Sequence, residues 1–144
     1  MISFLPAASH AYLERSAQSL TEAMNTVDDI PGRYAGAHVS ALQATAALLA
    51  ARARPASGKP RAQKNAWVLL AEVAPEFSEW ADFFASGARK RAAAEAGSTR
   101  AVSAREADDL VREADRFLAL IETSLGLSAH PTLTVAPAQR PRSA

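Results

Sequence analysis

Apolar residues recur along most of the chain at steps of three and four, the spacing that places side chains on one face of an α-helix. This pattern predicts a first helix over about residues 8–26 and a second from Pro31 to about Ala53. Pro31 suits the first turn of a helix, where its missing N–H costs nothing. The predicted apolar positions are Leu13, Ala17, Leu20 and Met24, with Val27 next in line, in the first helix, and Ala37, Ala41, Leu42, Thr45, Leu48 and Leu49 in the second.

A third helical region is predicted from Asn65, a favourable N-cap residue, to Gly97. Pro75 removes one backbone donor, so we expect a kink or two helices meeting over residues 73–75, and Gly87 loosens the helix again. The broad apolar face of this region includes both tryptophans of the chain and consists of Trp67, Leu70, Ala71, Ala74, Phe77, Trp80, Ala81 and Phe84.

The last predicted helix begins at Ser103 and ends at Gly126. Ser103 and Glu106 have the Ser-x-x-Glu spacing of a capping box. Its apolar positions are Leu110, Ala114, Phe117, Leu118, Ile121 and Leu125. The polar, proline-bearing residues 54–64 are predicted to form an exposed loop between helices. Residues 127–144, which contain three prolines and two arginines, are predicted to form a disordered tail.

The composition indicates the fold class. About a quarter of the residues are alanine, and the β-branched and aromatic residues never alternate for long, so we predict an all-α fold. A chain of 144 residues, 49% of them hydrophobic, is long enough for one domain with a real core. Residues 1–126 are therefore predicted to form a single helical bundle.

Charge, cysteine content and hydropathy restrict the function classes. A net charge of +1 argues against a surface built as a whole to hold a polyanion. The absence of cysteine excludes disulfides, thiolate zinc sites and a cysteine nucleophile, and fits a reducing compartment. No run approaches the ~18 apolar residues of a membrane span, and the first residues lack a basic leader. We expect a cytoplasmic protein that has no membrane partner.

The candidate catalytic residues are Arg33 and His38, with Tyr34 as an auxiliary group. Histidine can accept or donate a proton near neutral pH, and arginine can stabilise a phosphorane, so the pair fits RNA cleavage by the 2′-hydroxyl. A separation of five residues places the two side chains roughly 140° apart on a helix, so a shared phosphate would need the reach of arginine or a second subunit. Tyr34 and His38 lie on one face and could share a hydrogen bond. The alternative is that Tyr34 and His38 are packing residues and Arg33 is solvated.

Two clusters of basic residues are candidates for nucleotide or RNA contact: Arg52, Arg54, Lys59, Arg61 and Lys64, and Arg89, Lys90 and Arg91. Phosphate contacts from such a loop would be independent of sequence and sensitive to salt. The alternative is a solubilising loop that pairs with the acidic face of the third helical region, formed by Glu72, Glu76, Glu79 and Asp82. No Glu-x-x-His companion accompanies those acids, so we expect no metal site and no cofactor. His10 and His130 have no partner that the sequence identifies.

Three stretches together resemble the HEPN domain family, whose members include prokaryotic toxins, partners of nucleotidyltransferases and RNA-processing proteins. GRYAGAHVSALQATAALLA resembles the second helix of the family, and SAREADDLVREADRFLALIETSL resembles its final helix. NAWVLLAEVAPEFSEWADFFASGARKRAAAEAG resembles the middle region of a small bacterial subgroup. The resemblance implies a bundle of four or five helices, often dimeric, and in active members a metal-independent ribonuclease with an Arg-x(4 to 6)-His motif.

The chain departs from that motif. Between Arg89 and Glu106, where the family carries it, no histidine is present, and the only Arg-x4-His is Arg33 to His38 on the second helix. Our main hypothesis is therefore a non-catalytic bundle that acts as a homodimer or with a partner such as a nucleotidyltransferase, as in toxin–antitoxin pairs, while its basic loop contacts nucleotide or RNA. The second hypothesis is a metal-independent endoribonuclease that uses Arg33 and His38, and the third is a structural helical protein.

Overall fold

The computed structural model describes residues 4–52 and 65–133. These residues form six α-helices and one 3-10 turn, and they contain no strand, so the all-α prediction is confirmed. The elements are α1 (Ala7–Asn25), α2 (Ile30–Arg52), α3 (Ala66–Val73), the 3-10 turn (Pro75–Phe77), α4 (Ser78–Ser86), α5 (Ala88–Glu95) and α6 (Ala104–Ser124). There are six helices instead of four or five because the third predicted region is divided into three.

The helix boundaries follow the local signals in the sequence. The side chain of Asn65 accepts a hydrogen bond from the Val68 amide at 3.0 Å and caps α3. The chain breaks at Pro75 and at Gly87 as predicted. Ser103 and Glu106 form the predicted capping box at the start of α6, with hydrogen bonds in both directions.

Helix α2 lies at the centre of the bundle and packs against α1, α3, α5 and α6. Small side chains allow these close approaches, and Ala37, Ala41, Ala44 and Ala47 are all completely buried. At Gly36 an added Cβ would lie only 3.3 Å from the Cβ of Ala23, which shows how tightly α1 and α2 cross.

The buried face of α1 differs from the predicted one. It consists of Ser9, Leu13, Ser16, Leu20 and Ala23, while Ala17 and Val27 are exposed. The two serines can be buried because each hydroxyl is satisfied by α2: Ser9 donates to the Ala47 carbonyl at 2.8 Å, and Ser16 donates to the Ser40 carbonyl at 2.7 Å. Polar residues therefore occupy positions that a hydrophobic pattern does not mark.

An aromatic cluster joins α3 and α4 to α6. The rings of Trp67 and Phe84 stack with centroids 5.1 Å apart, and Phe84 lies 5.1 Å from Phe117 of α6. Such pairs contribute about 0.5–1.5 kcal/mol each beyond their buried area. The predicted apolar face of the third region is thus a real core element.

The segment after α6 differs from the predicted disordered tail over its first seven residues. Residues 127–133 fold back on α6: Leu127 packs against the core, and the His130 side chain contacts Asp115 and Glu122. These hydrogen bonds fix the segment. The rest of the predicted tail lies outside the described residues, as does the predicted loop 54–64. No helix in the described part of the chain is long and apolar enough to cross a membrane.

Candidate functional site

Arg33 connects three elements through its guanidinium group. Its Nη1 donates to the carbonyl oxygens of Ala23 and Met24, both at 2.9 Å, and its Nε lies 3.0 Å from Oδ1 of Asp108. The two carbonyls belong to the last turn of α1, where backbone acceptors have no partner within the helix. Arg33 thus caps the C-terminus of α1 and ties it to α6, so it is not the solvated residue of the alternative interpretation.

His38 is 1% exposed and lies between α3 and α4. Its Nε2 donates to the Phe84 carbonyl at 3.0 Å, and its ring packs edge-on against Trp67 at 5.6 Å between centroids. Burial lowers the pKa of His38, so the imidazole is neutral at pH 7 and carries its proton on Nε2. Its Nδ1 has no hydrogen-bond partner among the described residues.

Tyr34 lies in a cleft of about 240 Å³ between α2, α4, α5 and α6. The cleft is also lined by His38, Phe83 and the ion pair of Lys90 with Glu106. Burial raises the pKa of the Tyr34 hydroxyl, which therefore keeps its proton. An added Cβ on Gly87 would lie only 2.6 Å from the Tyr34 oxygen, so the absence of a side chain at Gly87 makes room for the phenol.

The predicted catalytic groups are not brought together within one chain. The guanidinium of Arg33 contacts α1 and α6, whereas the imidazole of His38 contacts α3 and α4. The two side chains therefore leave α2 in different directions. The hydrogen bond that the sequence allowed between Tyr34 and His38 is not formed, because Nε2 bonds Phe84 and Nδ1 has no partner. Tyr34 and His38 are both buried side chains, as the alternative interpretation expects of packing residues.

Three of the four described basic candidates pair with acids. Arg52 bonds Glu76 at 2.6 Å and the Ser124 hydroxyl at 2.9 Å, which links the end of α2 to the 3-10 turn and to α6. Lys90 pairs with Glu106, and Arg91 pairs with Glu95 at 2.9 Å. Arg89 is exposed and forms no ion pair with any described residue. The other four candidates, Arg54, Lys59, Arg61 and Lys64, lie outside the described residues.

The acidic side chains of the third region do not form a ligand set. Glu76 contacts Arg52, and this hydrogen bond lowers the pKa of its carboxyl group. Within residues 4–52 and 65–133, no three His, Asp or Glu side chains are grouped so that they could hold a metal ion.

A profile of the SAV_6107-like HEPN family matches residues 24–122 of the chain. The chain belongs to this HEPN family. The match covers more than half of the chain and extends from the end of α1 to the last turn of α6, so it includes every candidate residue from Arg33 to Arg91. No curated protein and no solved structure matches the chain significantly.

A surface of the HEPN domain that the sequence analysis missed lies along α4 and α6. Phe83 is 44% exposed on α4, and Leu120 is 43% exposed on α6. Arg116 of α6 lies over the ring of Trp80 on α4, 5.9 Å from its centroid. The remaining members are the paired charges Asp109 with Arg112 and Glu113 with Arg116 on successive turns of α6. We call this set the α4–α6 face.

A cluster of three titratable groups, which the sequence pattern did not indicate, lies at the end of α6. The ring nitrogens of His130 lie 2.7 Å from carboxylate oxygens of Asp115 and Glu122. Asp115 is buried although its side chain is ionisable. Its position among Val111, Leu118 and Ile121 on the apolar side of α6 is the one sequence signal that indicates a buried partner.

Proposed function

We propose that this HEPN domain acts by association, without catalysis of its own, and that it forms a homodimer through the α4–α6 face. The observation that carries the proposal is that both residues of the only Arg-x4-His pair in the sequence make contacts within the fold. Arg33 donates to three oxygen atoms of the fold, and His38 is buried with one nitrogen on a backbone carbonyl. A phosphate would have to displace Arg33 from the end of α1.

The composition of the α4–α6 face supports its role as the contact surface. Exposed Phe83, partly exposed Trp80 and two arginines are the residue types that dominate binding energy at protein interfaces. Each arginine stands beside an acid of the same helix, so that the face presents both charges in alternation. Two copies related by a twofold axis would place antiparallel α6 helices with the arginines of one opposite the acids of the other.

The oligomeric state tests this proposal. We expect sedimentation equilibrium to give twice the chain mass of 15.2 kDa for the wild type, and a single chain mass for Phe83→Asp and for Leu120→Asp. Val68→Asp is the matched control, because Val68 is also 44% exposed but lies on α3, away from the α4–α6 face. A wild type that stays monomeric at high micromolar concentration contradicts the homodimer, and a dimer that survives both substitutions assigns it to another surface.

The proposal includes contact with nucleotide or RNA through the basic residues. Arg89 supports it, since this exposed arginine has no acidic partner in the described part of the chain. The proposed site is completed by Lys59, Arg61 and Lys64, which belong to the predicted loop and lie outside the described residues. We expect binding to a fluorescent single-stranded RNA to weaken steeply with salt, and to be lost when the three loop residues are changed to glutamine while the sedimentation result stays the same. Unchanged RNA affinity in that variant contradicts the loop as the contact.

The proposed homodimer does not exclude a hetero-partner. A nucleotidyltransferase is the partner class that the resemblance suggests, and co-expression with one would test whether it competes for the α4–α6 face. If Phe83→Asp loses the complex with the nucleotidyltransferase and Val68→Asp keeps it, the homodimer and the hetero-complex would be assigned to the same surface.

The alternative function is a metal-independent endoribonuclease. The observation in its favour is that the cleft reaches both Tyr34 and His38. We expect no cleavage of a mixed RNA pool by the purified protein in EDTA. Cleavage by the wild type that is lost in His38→Gln, with the circular dichroism spectrum and unfolding midpoint retained, would overturn the non-catalytic proposal.

A further inference from the structure

The segment that follows α6 is held by four hydrogen bonds to two carboxylates. His130 Nε2 lies 2.7 Å from Asp115 Oδ1, and His130 Nδ1 lies 2.7 Å from Glu122 Oε1. The His130 amide donates to the same Glu122 oxygen at 3.0 Å, and the Leu133 amide donates to Asp115 Oδ2 at 2.6 Å. Both carboxylates therefore bind the ring and the backbone of the segment at once.

Two ionised carboxyl groups around one imidazole require a charged ring. A carboxylate only accepts hydrogen bonds, so each ring nitrogen that faces one must carry a proton, and a neutral imidazole carries only one. Neutral His130 would direct a lone pair at either Asp115 or Glu122. Asp115 is 2% exposed, and a buried carboxylate that loses its cationic partner is strongly destabilising.

We propose that Asp115, His130 and Glu122 form a proton-operated latch, which holds residues 128–133 on α6 while the ring is charged and releases them when it is neutral. Release uncovers the side of α6 around Asp115, while Leu127 stays at the end of α6 through its amide bond to the Glu122 carbonyl at 2.9 Å. The device is separate from the proposed association, because it lies on another side of α6 and His130 is outside the matched residues 24–122.

The pH range follows from the charges around the ring. Burial lowers the pKa of His130, but the hydrogen bonds and charges of Glu122 and Asp115 outweigh burial, and the net pKa is raised above 6.5. These two groups, both on α6, are the charges that act on the ring within the described residues. A raised pKa stabilises the latch fully below pH 6.5, and this stabilisation is lost as the pH rises through the folded pKa. The latch is therefore closed below pH 6.5 and opens as the pH rises through the raised pKa of His130.

An NMR titration of the ¹⁵N-labelled full chain tests the proposal. We expect both ring nitrogens of His130 to titrate together with a midpoint above 6.5, and the Leu133 amide proton to move upfield with the same midpoint as its hydrogen bond to Asp115 opens. In His130→Gln, the Leu133 amide should be upfield at every pH. His10→Gln is the control, because it removes an exposed histidine of α1 and should leave the Leu133 titration unchanged.

Two results would overturn the latch. The first is a Leu133 amide that keeps its shift while His130 titrates, which would show that the segment stays bound to α6 when the ring is neutral. The second is a midpoint for His130 at or below 6.5. Both can be read from the wild type alone, so the test does not depend on the folding of a variant. The amide of Glu106, in the capping box of α6, reports whether the helix itself stays intact.

Discussion

Replacement of Arg33 by methionine should destabilise the bundle, because the guanidinium closes the end of α1. Its two bonds to the carbonyls of Ala23 and Met24 are charge-assisted and partly buried. Their removal takes one donor from each carbonyl, and the Ala23 carbonyl keeps its bond from the Thr26 amide at 3.2 Å. Such bonds contribute about 1–1.5 kcal/mol each in this setting. The ion pair with the exposed Asp108 adds at most about 0.5 kcal/mol. We therefore expect the free energy of unfolding to fall by about 2–3 kcal/mol.

Urea denaturation, monitored by circular dichroism, measures this fall in the free energy of unfolding. For a chain of this length, about 2–3 kcal/mol corresponds to a melting temperature lower by roughly 6–10 °C. Arg89→Met is the matched control, since Arg89 is an exposed arginine without an ion pair in the described structure, and its replacement should change stability by less than about 0.5 kcal/mol. Asp108→Asn should also cost little, because Arg33 keeps both carbonyl bonds. All variants must be compared at one protein concentration, since association would add to the apparent stability.

An Arg33→Met variant as stable as Arg89→Met would refute the reasoning. The guanidinium would then contribute nothing to the fold, and it would be available to bind phosphate as the endoribonuclease alternative requires. A loss near the expected size, without any change in RNA affinity, would leave Arg33 with a structural role alone.

Three further predictions concern other contacts of the bundle. Gly87→Ala should destabilise the bundle by about 1–2 kcal/mol, because the new Cβ would clash with the Tyr34 oxygen. The second substitution Tyr34→Phe in the same chain should restore most of this loss. Equal stability of Gly87→Ala and the wild type would contradict the prediction. Ser103→Ala should cost about 1 kcal/mol by removing the cap of α6, and an unchanged urea midpoint would contradict it. Between pH 6 and pH 9 the wild type should lose stability that His130→Gln does not lose, and parallel pH profiles of unfolding would contradict this.

The helices could be predicted from the sequence because their boundaries depend on neighbouring residues. Asn65, Pro75, Gly87 and Ser103 each act on the backbone within one turn, and the structure has a boundary at each of them. Burial on α1 was less predictable. Ser16 is buried because its hydroxyl donates to the Ser40 carbonyl on another helix. The spacing of apolar residues along α1 gives no indication of that bond.

The candidate site was less predictable because its contacts join distant parts of the chain. Arg33 pairs with Asp108, 75 residues away, and the Phe84 carbonyl that binds His38 is 46 residues away. The separation of five residues predicts that the side chains of Arg33 and His38 point about 140° apart on α2, and in the structure they contact different helices. The spacing does not indicate which helices these are, because that depends on how the bundle packs.

The central position of α2 explains why catalysis is the weaker interpretation of this chain. A helix with neighbours on four sides directs its side chains into the bundle, so that residues five positions apart serve different interfaces: Arg33 serves α1 and α6, and His38 serves α3 and α4. The Nη1 of Arg33 and the Nε2 of His38 are already bonded to backbone carbonyls of the fold. The peripheral helices α4 and α6 have the opposite property, since each buries one side and leaves aromatic, aliphatic and paired charged residues outside. Function on this scaffold is therefore expected on the α4–α6 face, and the sedimentation experiment on Phe83 and Leu120 addresses it directly.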